Sequence, residues 1–147
     1  MDNCSSHRKD AKSAKENLKM IKENDRLSKE IISVAIEVHS HLGQGLLESA
    51  YEECLCREMF IRGLTFERQK PLAVSYKGVK LDCGYRLDVV VGGGLVILEL
   101  KAVDQVELIH EAQLLTYLKL SDLKLGILIN FNVPLLKDGI KRIVNGL

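Results

Sequence analysis

The sequence predicts an α/β fold in which a mixed central sheet is flanked by helices. Three observations predict it. Apolar residues recur at helical spacing up to residue 62, and β-rich segments fill residues 65–101. A second helical pattern at residues 106–120 then precedes an apolar run at 125–131. The predicted order of helices and strands describes a sheet with helices packed against it.

Length and charge limit the possible functions. A chain of 147 residues has room for one domain, and its 46% hydrophobic content is enough for a core. Its 21 basic and 20 acidic residues give a formal net charge of +1. The chain therefore lacks the strong positive field that would by itself indicate a nucleic-acid partner.

Targeting and redox signals are the next features of the sequence. No apolar run approaches the roughly 20 residues of a membrane span. The polar N-terminus lacks the apolar segment of a secretory signal. The four cysteines follow no zinc or disulfide spacing, so we expect reduced, mostly structural thiols in a cytoplasmic protein. They are Cys4, Cys54, Cys56 and Cys83.

We divide the chain into a polar, Lys-rich N-terminal extension at residues 1–26 and a domain at residues 27–147. The extension is expected to be frayed and solvated. A basic arm that contacts phosphate is the alternative. Its lysines are spaced three or four residues apart, namely Lys9, Lys12, Lys15, Lys19 and Lys22.

Two helices are predicted next. The first starts near Leu27, with Ser28 as its N-cap, and ends at Gly43. The second covers residues 46–62, and Gly63 ends it.

Strands follow these helices. Residues 65–69 form a strand that Pro71 ends. Residues 72–76 and 79–81 flank a Lys77-Gly78 hairpin turn. The segments 85–91 and 95–101 are joined by a second hairpin at Gly92-Gly93-Gly94.

The last elements are a helix at residues 106–120, a doubly buried strand at 125–131 and a short terminal helix. Pro134 opens that terminal helix, which carries Leu136, Ile140 and Ile143.

Three charged residues lie inside segments that otherwise resemble core strands: Asp88, Glu99 and Lys101. Strand side chains alternate, so Glu99 and Lys101 project from the same face. If the glycine turn closes a hairpin, Asp88 lies on the neighbouring strand near Glu99. Adjacent buried carboxylates repel each other, and Mg²⁺ relieves that repulsion. A lysine beside them could orient or deprotonate the attacking water, or stabilise the developing negative charge. The alternative is a structural ion pair of Glu99 with Lys101, with Asp88 facing solvent.

Further polar residues are candidates for the same site. Gln113 and Tyr117 are four residues apart on the helix that follows the Glu-x-Lys strand, so they share a face. Their alternative role is a helix-surface hydrogen bond. Glu48 lies in the first turn of the second helix, where the helix dipole favours a carboxylate. Its alternative role is a helix-start charge without a catalytic part. Tyr51 is expected to be a core aromatic whose hydroxyl finds a partner.

The histidines are expected to contribute less. His39 and His41 should cap or pack the end of the first helix, although His39 could also approach the site. His110 is expected at most to contact residues of the site, and not the metal or the substrate.

Residues 45–51, Gly-Leu-Leu-Glu-Ser-Ala-Tyr, resemble the signature of the GxxExxY protein family, which is assigned to the PD-(D/E)xK nuclease superfamily. Similarity extends from Glu30 to Leu147. It includes the blocks at residues 36–39, 97–102, 110–118 and 126–131.

The resemblance implies a restriction-endonuclease-like core and Mg²⁺- or Mn²⁺-dependent nuclease activity. It implies Asp88, Glu99 and Glu48 as metal ligands and Lys101 as the catalytic lysine. Gln113 and Tyr117 match the Gln-x-x-x-Tyr motif of RecB-like members, which is expected near the substrate.

The expected partner is nucleic acid, and DNA is expected more than RNA. No membrane partner is expected, and a homodimer is a possible assembly. One rival is a non-catalytic module of the same fold that binds nucleic acid or recruits a partner. A second is a structural or regulatory protein whose buried charges pair with one another.

Overall fold

The computed structural model describes the backbone of residues 3–146 and the side chains of residues 13–146. Three α-helices, five strands and one 3-10 helix make up this part of the chain. In order they are α1 (Asn3–Leu42), α2 (Glu48–Ile61), β1 (Phe66–Tyr76), β2 (Val79–Val91), β3 (Val96–Lys101), α3 (Leu108–Ser121), β4 (Leu125–Asn130), the 3-10 helix (Leu136–Gly139) and β5 (Ile140–Val144).

The five strands form one sheet in the order β1-β2-β3-β4-β5. Strands β3 and β4 are parallel, and every other pair is antiparallel. Parallel neighbours need a crossover, which α3 supplies between β3 and β4. The predicted α/β class with a mixed sheet is therefore confirmed.

Helices cover both faces of the sheet. Helices α1 and α2 pack on one face, where the buried residues of α1 recur every three or four positions: Ile31, Val34, Ala35 and Val38. Helix α3 packs on the other face through Leu114 and Leu118. Gly126 of β4 allows this close approach, because an added Cβ there would lie 2.9 Å from Leu114. Strand β4 is buried along its whole length, as its apolar sequence predicted.

The expectations for the N-terminal segment were wrong in two respects. Helix α1 begins at Asn3, so the backbone of residues 3–26 is helical instead of frayed, and Ser28 is a buried mid-helix residue instead of an N-cap. Lys, Glu, Ala and Leu are strong helix formers, and extending an existing helix requires no new nucleus. Lys15, Lys19 and Lys22 are exposed, whereas the side chains of Cys4, Lys9 and Lys12 lie outside the described residues.

Two predicted strand boundaries were also wrong. Pro71 does not end a strand, because β1 runs through it, and residues 79–91 form one strand. Strand β1 is an edge strand, where a proline is tolerated because its missing N–H need not bond to a further neighbour. Both predicted hairpins are confirmed, with Tyr76 paired to Val79 and Val91 paired to Val96.

The terminal segment was predicted as a helix, and this was wrong. Pro134 is followed by a four-residue 3-10 helix and then by strand β5, which pairs with β4 from Ile129↔Ile140 to Leu125↔Val144.

Three of the cysteines have described side chains, and all three are free thiols. Cys54 is partly buried, Cys56 is buried and Cys83 is exposed. Burial raises the pKa of Cys56 to about 11, which suits the structural role expected of these thiols. Within the described chain no helix combines the length and the apolarity that crossing a membrane requires.

Candidate active site

Strand β2 is irregular at Asp88. Leu87 packs in the core under α3, whereas Val89 packs in the core under α1 and α2, although residues two apart in a regular strand share a face. Opposite Asp88 on β1, Gln69 has a φ of 50°, which is rare for a residue with a side chain. The two strands thus change face at the same point, and Asp88 lies at that change.

The Asp88 carboxylate accepts a hydrogen bond from β3 that a main-chain carbonyl of β2 would accept in a regular sheet. Pairing of β2 with β3 runs from Val91↔Val96 to Val89↔Leu98 and ends there. Beyond the last pair, the N–H of Leu100 in β3 points towards β2 and donates to Asp88 Oδ2 at 2.9 Å. Asp88 is therefore fixed by backbone and is aimed at the carboxyl end of β3.

Glu99 and Lys101 share one face of β3, as predicted. Leu98 and Leu100 point into the core under α1 and α2, and Ile97 points into the core under α3. Strand alternation then puts Glu99 and Lys101 on the α3 side. Glu99 is only 9% exposed, and its buried Oε1 has no hydrogen-bond partner among the described residues.

The two carboxylates are electrostatically coupled. Burial and then the charge of Asp88 raise the pKa of Glu99 to about 8, against the opposing effects of Lys101 and the Asp88 N–H. Burial also raises the pKa of Asp88, the Leu100 N–H lowers it, and the charges of Glu52 and Glu48 raise it further. The pair carries more negative charge than its surroundings stabilise.

Glu48 is the first residue of α2, and its side chain is exposed. Its charge raises the pKa of both Asp88 and Glu99, so it is within electrostatic reach of the pair. Among the described residues no three His, Cys, Asp or Glu side chains form a cluster that could hold a metal ion. Glu48 as a third ligand therefore stays a prediction.

Tyr51 holds the loop that leads to Glu48. Its buried hydroxyl donates to the carbonyl of Gly43 at 2.6 Å and accepts from the Leu46 N–H at 3.3 Å. Its ring stacks on Phe131 with 4.5 Å between centroids and 6° between planes. The expectation of a core aromatic with a partner for its hydroxyl is confirmed.

A polar cluster behind the site was missed in the sequence. Glu52, nearly buried, accepts hydrogen bonds from Arg68 Nη2 and Gln69 Nε2, both at 2.8 Å. Arg68 also donates to Glu53 at 2.8 Å. These bonds connect α2 to the irregular point of β1, opposite Asp88. The only local signal was Glu52 itself, one helical turn after Glu48.

Helix α3 brings Tyr117 towards the acids. Burial and then the charges of Glu99, Tyr85 and Asp88 raise its pKa. Its ring lies 5.9 Å from that of Tyr85, tilted by 57°. Gln113 is exposed and lines the same groove as these two tyrosines.

The histidines have structural contacts. The Nε2 of His39 lies 2.8 Å from the Val133 carbonyl, and His41 pairs with Glu37 one turn earlier at 3.0 Å. The Nδ1 of His110 accepts from the N–H of Glu107 at 3.0 Å and so caps the start of α3. The packing role expected of His39 is confirmed.

A divalent cation fits the donor set of Asp88 and Glu99. Both groups supply carboxylate oxygen, the ligand that Mg²⁺ prefers, and Glu99 Oε1 is buried with no partner among residues 13–146. Mg²⁺ usually takes one or two carboxylates and completes its shell with water and substrate phosphate. A two-carboxylate site therefore suits it without a third acid.

Replacing Glu99 with glutamine should stabilise the metal-free protein, and more so at high pH. The folded pKa of about 8 exceeds the usual 4.5, so the stability linked to its proton is complete below pH 4.5 and is lost as pH rises to 8. We expect a gain of roughly 2–4 kcal/mol at pH 8.5 and a small change at pH 5. Urea unfolding in EDTA measures both, with the exposed Glu67→Gln as control. Equal gains at the two pH values would contradict the assigned pKa.

A comparison with protein families shows which family the chain resembles. The model described as the PD-(D/E)XK nuclease superfamily matches residues 25–143, a range that includes Asp88, Glu99 and Lys101. No curated protein and no solved structure matches the chain.

Proposed function

The chain belongs to the PD-(D/E)XK nuclease superfamily, and from that premise we propose that it is a metal-dependent nuclease that hydrolyses phosphodiester bonds in nucleic acid. Asp88, Glu99 and Lys101 are its proposed catalytic residues. The observation that carries the proposal is the buried oxygen of Glu99, which has no hydrogen-bond partner in the described part of the chain, beside the backbone-anchored Asp88. Leaving such a group without a partner costs stability, so its retention favours a ligand at this point.

Asp88 and Glu99 would hold Mg²⁺ or Mn²⁺. When bound, such an ion neutralises the charge of the pair, lowers the pKa of a bound water and polarises the phosphate. Asp88 remains oriented by the Leu100 N–H throughout, because that bond uses Oδ2 and no hydrogen bond to Oδ1 is found in the described part of the chain. Glu99 must release its proton to act as a ligand, so metal affinity should rise with pH up to about 8.

Lys101 would act on the substrate. It lies on the same face as Glu99, two residues further along β3, at the carboxyl end of the strand, and it is partly exposed. Its ammonium group would donate to a phosphate oxygen and stabilise the charge that develops as the phosphodiester is attacked. Glu48 would contact the metal or a water at the edge of the site, and Gln113 and Tyr117 would contact the substrate.

We also propose membership of the GxxExxY family. Residues 45–51 support it, and the contacts of Tyr51 give a physical reason for the pattern. The glycines allow the turn, the tyrosine holds it closed and the glutamate follows at the start of α2. A cytoplasmic location, a homodimer and the division of the chain at residue 26 stay predictions.

The test is cleavage of a substrate panel by the purified chain, with Mg²⁺, with Mn²⁺ and with EDTA. The panel contains plasmid, linear duplex, single-stranded DNA and RNA. We expect cleavage of DNA in preference to RNA. We expect metal-dependent cleavage that Asp88→Asn lowers by about 10²-fold or more. Asp82→Asn, an exposed change on the same strand, is the control and should cleave normally.

Two results would contradict the nuclease. A folded wild-type chain that cuts no substrate with either metal would favour the non-catalytic module. Equal cleavage by Asp88→Asn would remove the proposed site from the reaction.

A further inference from the structure

A groove with two tyrosines lies beside the proposed catalytic residues. It is bounded by the β1–β2 hairpin and by α3, and its volume is about 360 Å³. We call it the tyrosine groove. Its main lining residues are Val74, Tyr85, Ile109, Gln113, Thr116 and Tyr117.

The two tyrosines leave aromatic surface open to solvent. Tyr85 is 46% exposed, and its ring is tilted by 57° to that of Tyr117 instead of covering it. The stacked pair Tyr51 and Phe131 is the contrast, because those rings are parallel and fully buried. An exposed tyrosine ring can stack with a flat ligand, and its hydroxyl can still hydrogen-bond.

The groove lies close to the proposed catalytic centre, although Asp88, Glu99 and Lys101 do not line it. Tyr85 lies three residues before Asp88 on β2, a distance of about 10 Å along an extended strand. Tyr117 is within electrostatic reach of both Glu99 and Asp88. The groove and the two acids are therefore neighbours.

The lining chemistry suits a nucleobase. The walls are apolar side chains such as Val74 and Ile109, and no lining residue is charged. Gln113 offers an amide and Thr116 a hydroxyl, and both are exposed and able to bond to the edge of a base. A base inside a duplex presents neither its faces nor its pairing edge, whereas an unpaired base presents both.

We propose that the tyrosine groove binds an unpaired nucleobase by stacking on Tyr85, next to the phosphate that is cut. The preferred substrate is then single-stranded nucleic acid, or a duplex with an unpaired end or flap. The inference rests on the proposed nuclease function in one respect, namely that the neighbouring acids cut the phosphate. The binding step itself needs neither metal nor cleavage.

Fluorescence can test the stacking directly, because the chain contains no tryptophan. Tyr85→Trp places a single tryptophan in the groove, whose emission can be excited apart from that of the tyrosines. In EDTA, a single-stranded 12-mer should quench it, and the same sequence as a blunt duplex should bind at least about tenfold more weakly. A base stacked on an aromatic side chain commonly contributes this much to affinity.

Matched variants complete the test. By fluorescence anisotropy of a labelled 12-mer, Tyr85→Ala should weaken single-strand binding by about tenfold or more, and Tyr85→Phe should retain it. Tyr76→Ala removes another exposed tyrosine, at the end of β1, and should bind like wild type. Circular dichroism of each variant establishes that it is folded.

Wild-type affinity in Tyr85→Ala, or equal binding of single strand and duplex, would overturn the proposal. The result is separable from that of the nuclease test. Tyr85-dependent binding by a chain that cuts nothing would support the groove and remove the nuclease. Cleavage of single strands that Tyr85→Ala leaves unchanged would support the nuclease and remove the groove.

Discussion

Replacing Lys101 with alanine should lower metal-dependent cleavage by about 10²- to 10³-fold without unfolding the protein. The side chain is partly exposed, so its loss opens no cavity in the core. The backbone of residue 101 keeps its sheet contacts, including the bond from the Phe131 N–H at 2.9 Å. The charge of Lys101 also lowers the pKa of Glu99 and Asp88, so the residual activity should require a higher pH.

A pH–rate profile of Lys101→Ala beside wild type measures both effects. The control is Lys80→Ala, which removes an exposed lysine from β2. Near-normal cleavage by folded Lys101→Ala would exclude this lysine from the reaction.

Replacing Tyr51 with alanine should have the largest effect on stability. The ring is fully buried and stacked on Phe131, and its loss leaves a cavity between α2 and the end of β4. Such truncations typically cost about 3–5 kcal/mol. Urea unfolding measures the change, for which Tyr76→Ala is the exposed control and should stay within about 0.5 kcal/mol of wild type.

Tyr51→Phe separates the ring from the hydroxyl. It keeps the stack but removes the partner of the Gly43 carbonyl and the Leu46 N–H, at a cost of about 1–2 kcal/mol. Wild-type stability in Tyr51→Ala would show that the contacts of Tyr51 do not hold the loop before α2.

The parts of the fold that the sequence predicts are those whose pattern is local. Helices α2 and α3 have apolar residues at helical spacing, and β3 and β4 are apolar runs of strand length. Strand β5 could not be recognised in this way. Ile140 and Ile143 are three apart, which favours a helix, and the strand forms because β4 offers a free edge. That edge is a tertiary feature that no short window of sequence contains.

The site likewise has features that the local sequence predicts and features that depend on tertiary structure. Strand alternation is enough to predict that Glu99 and Lys101 share a face. The position of Asp88 depends on the change of face at Gln69, whose positive φ nothing in residues 66–76 predicts. The bonds of Glu52 with Arg68 and Gln69 depend on that same irregularity, so they were missed.

The bond from the Leu100 N–H to Asp88 has a consequence for how the site can vary among relatives. Every amino acid except proline supplies a main-chain N–H, so this anchor does not depend on which residue occupies position 100. Side chains around the acids could therefore diverge widely, and with them the choice of substrate, while the Asp88 carboxylate keeps its anchor. The placement of this acid is thus a property of the sheet backbone and not of the side chains around it.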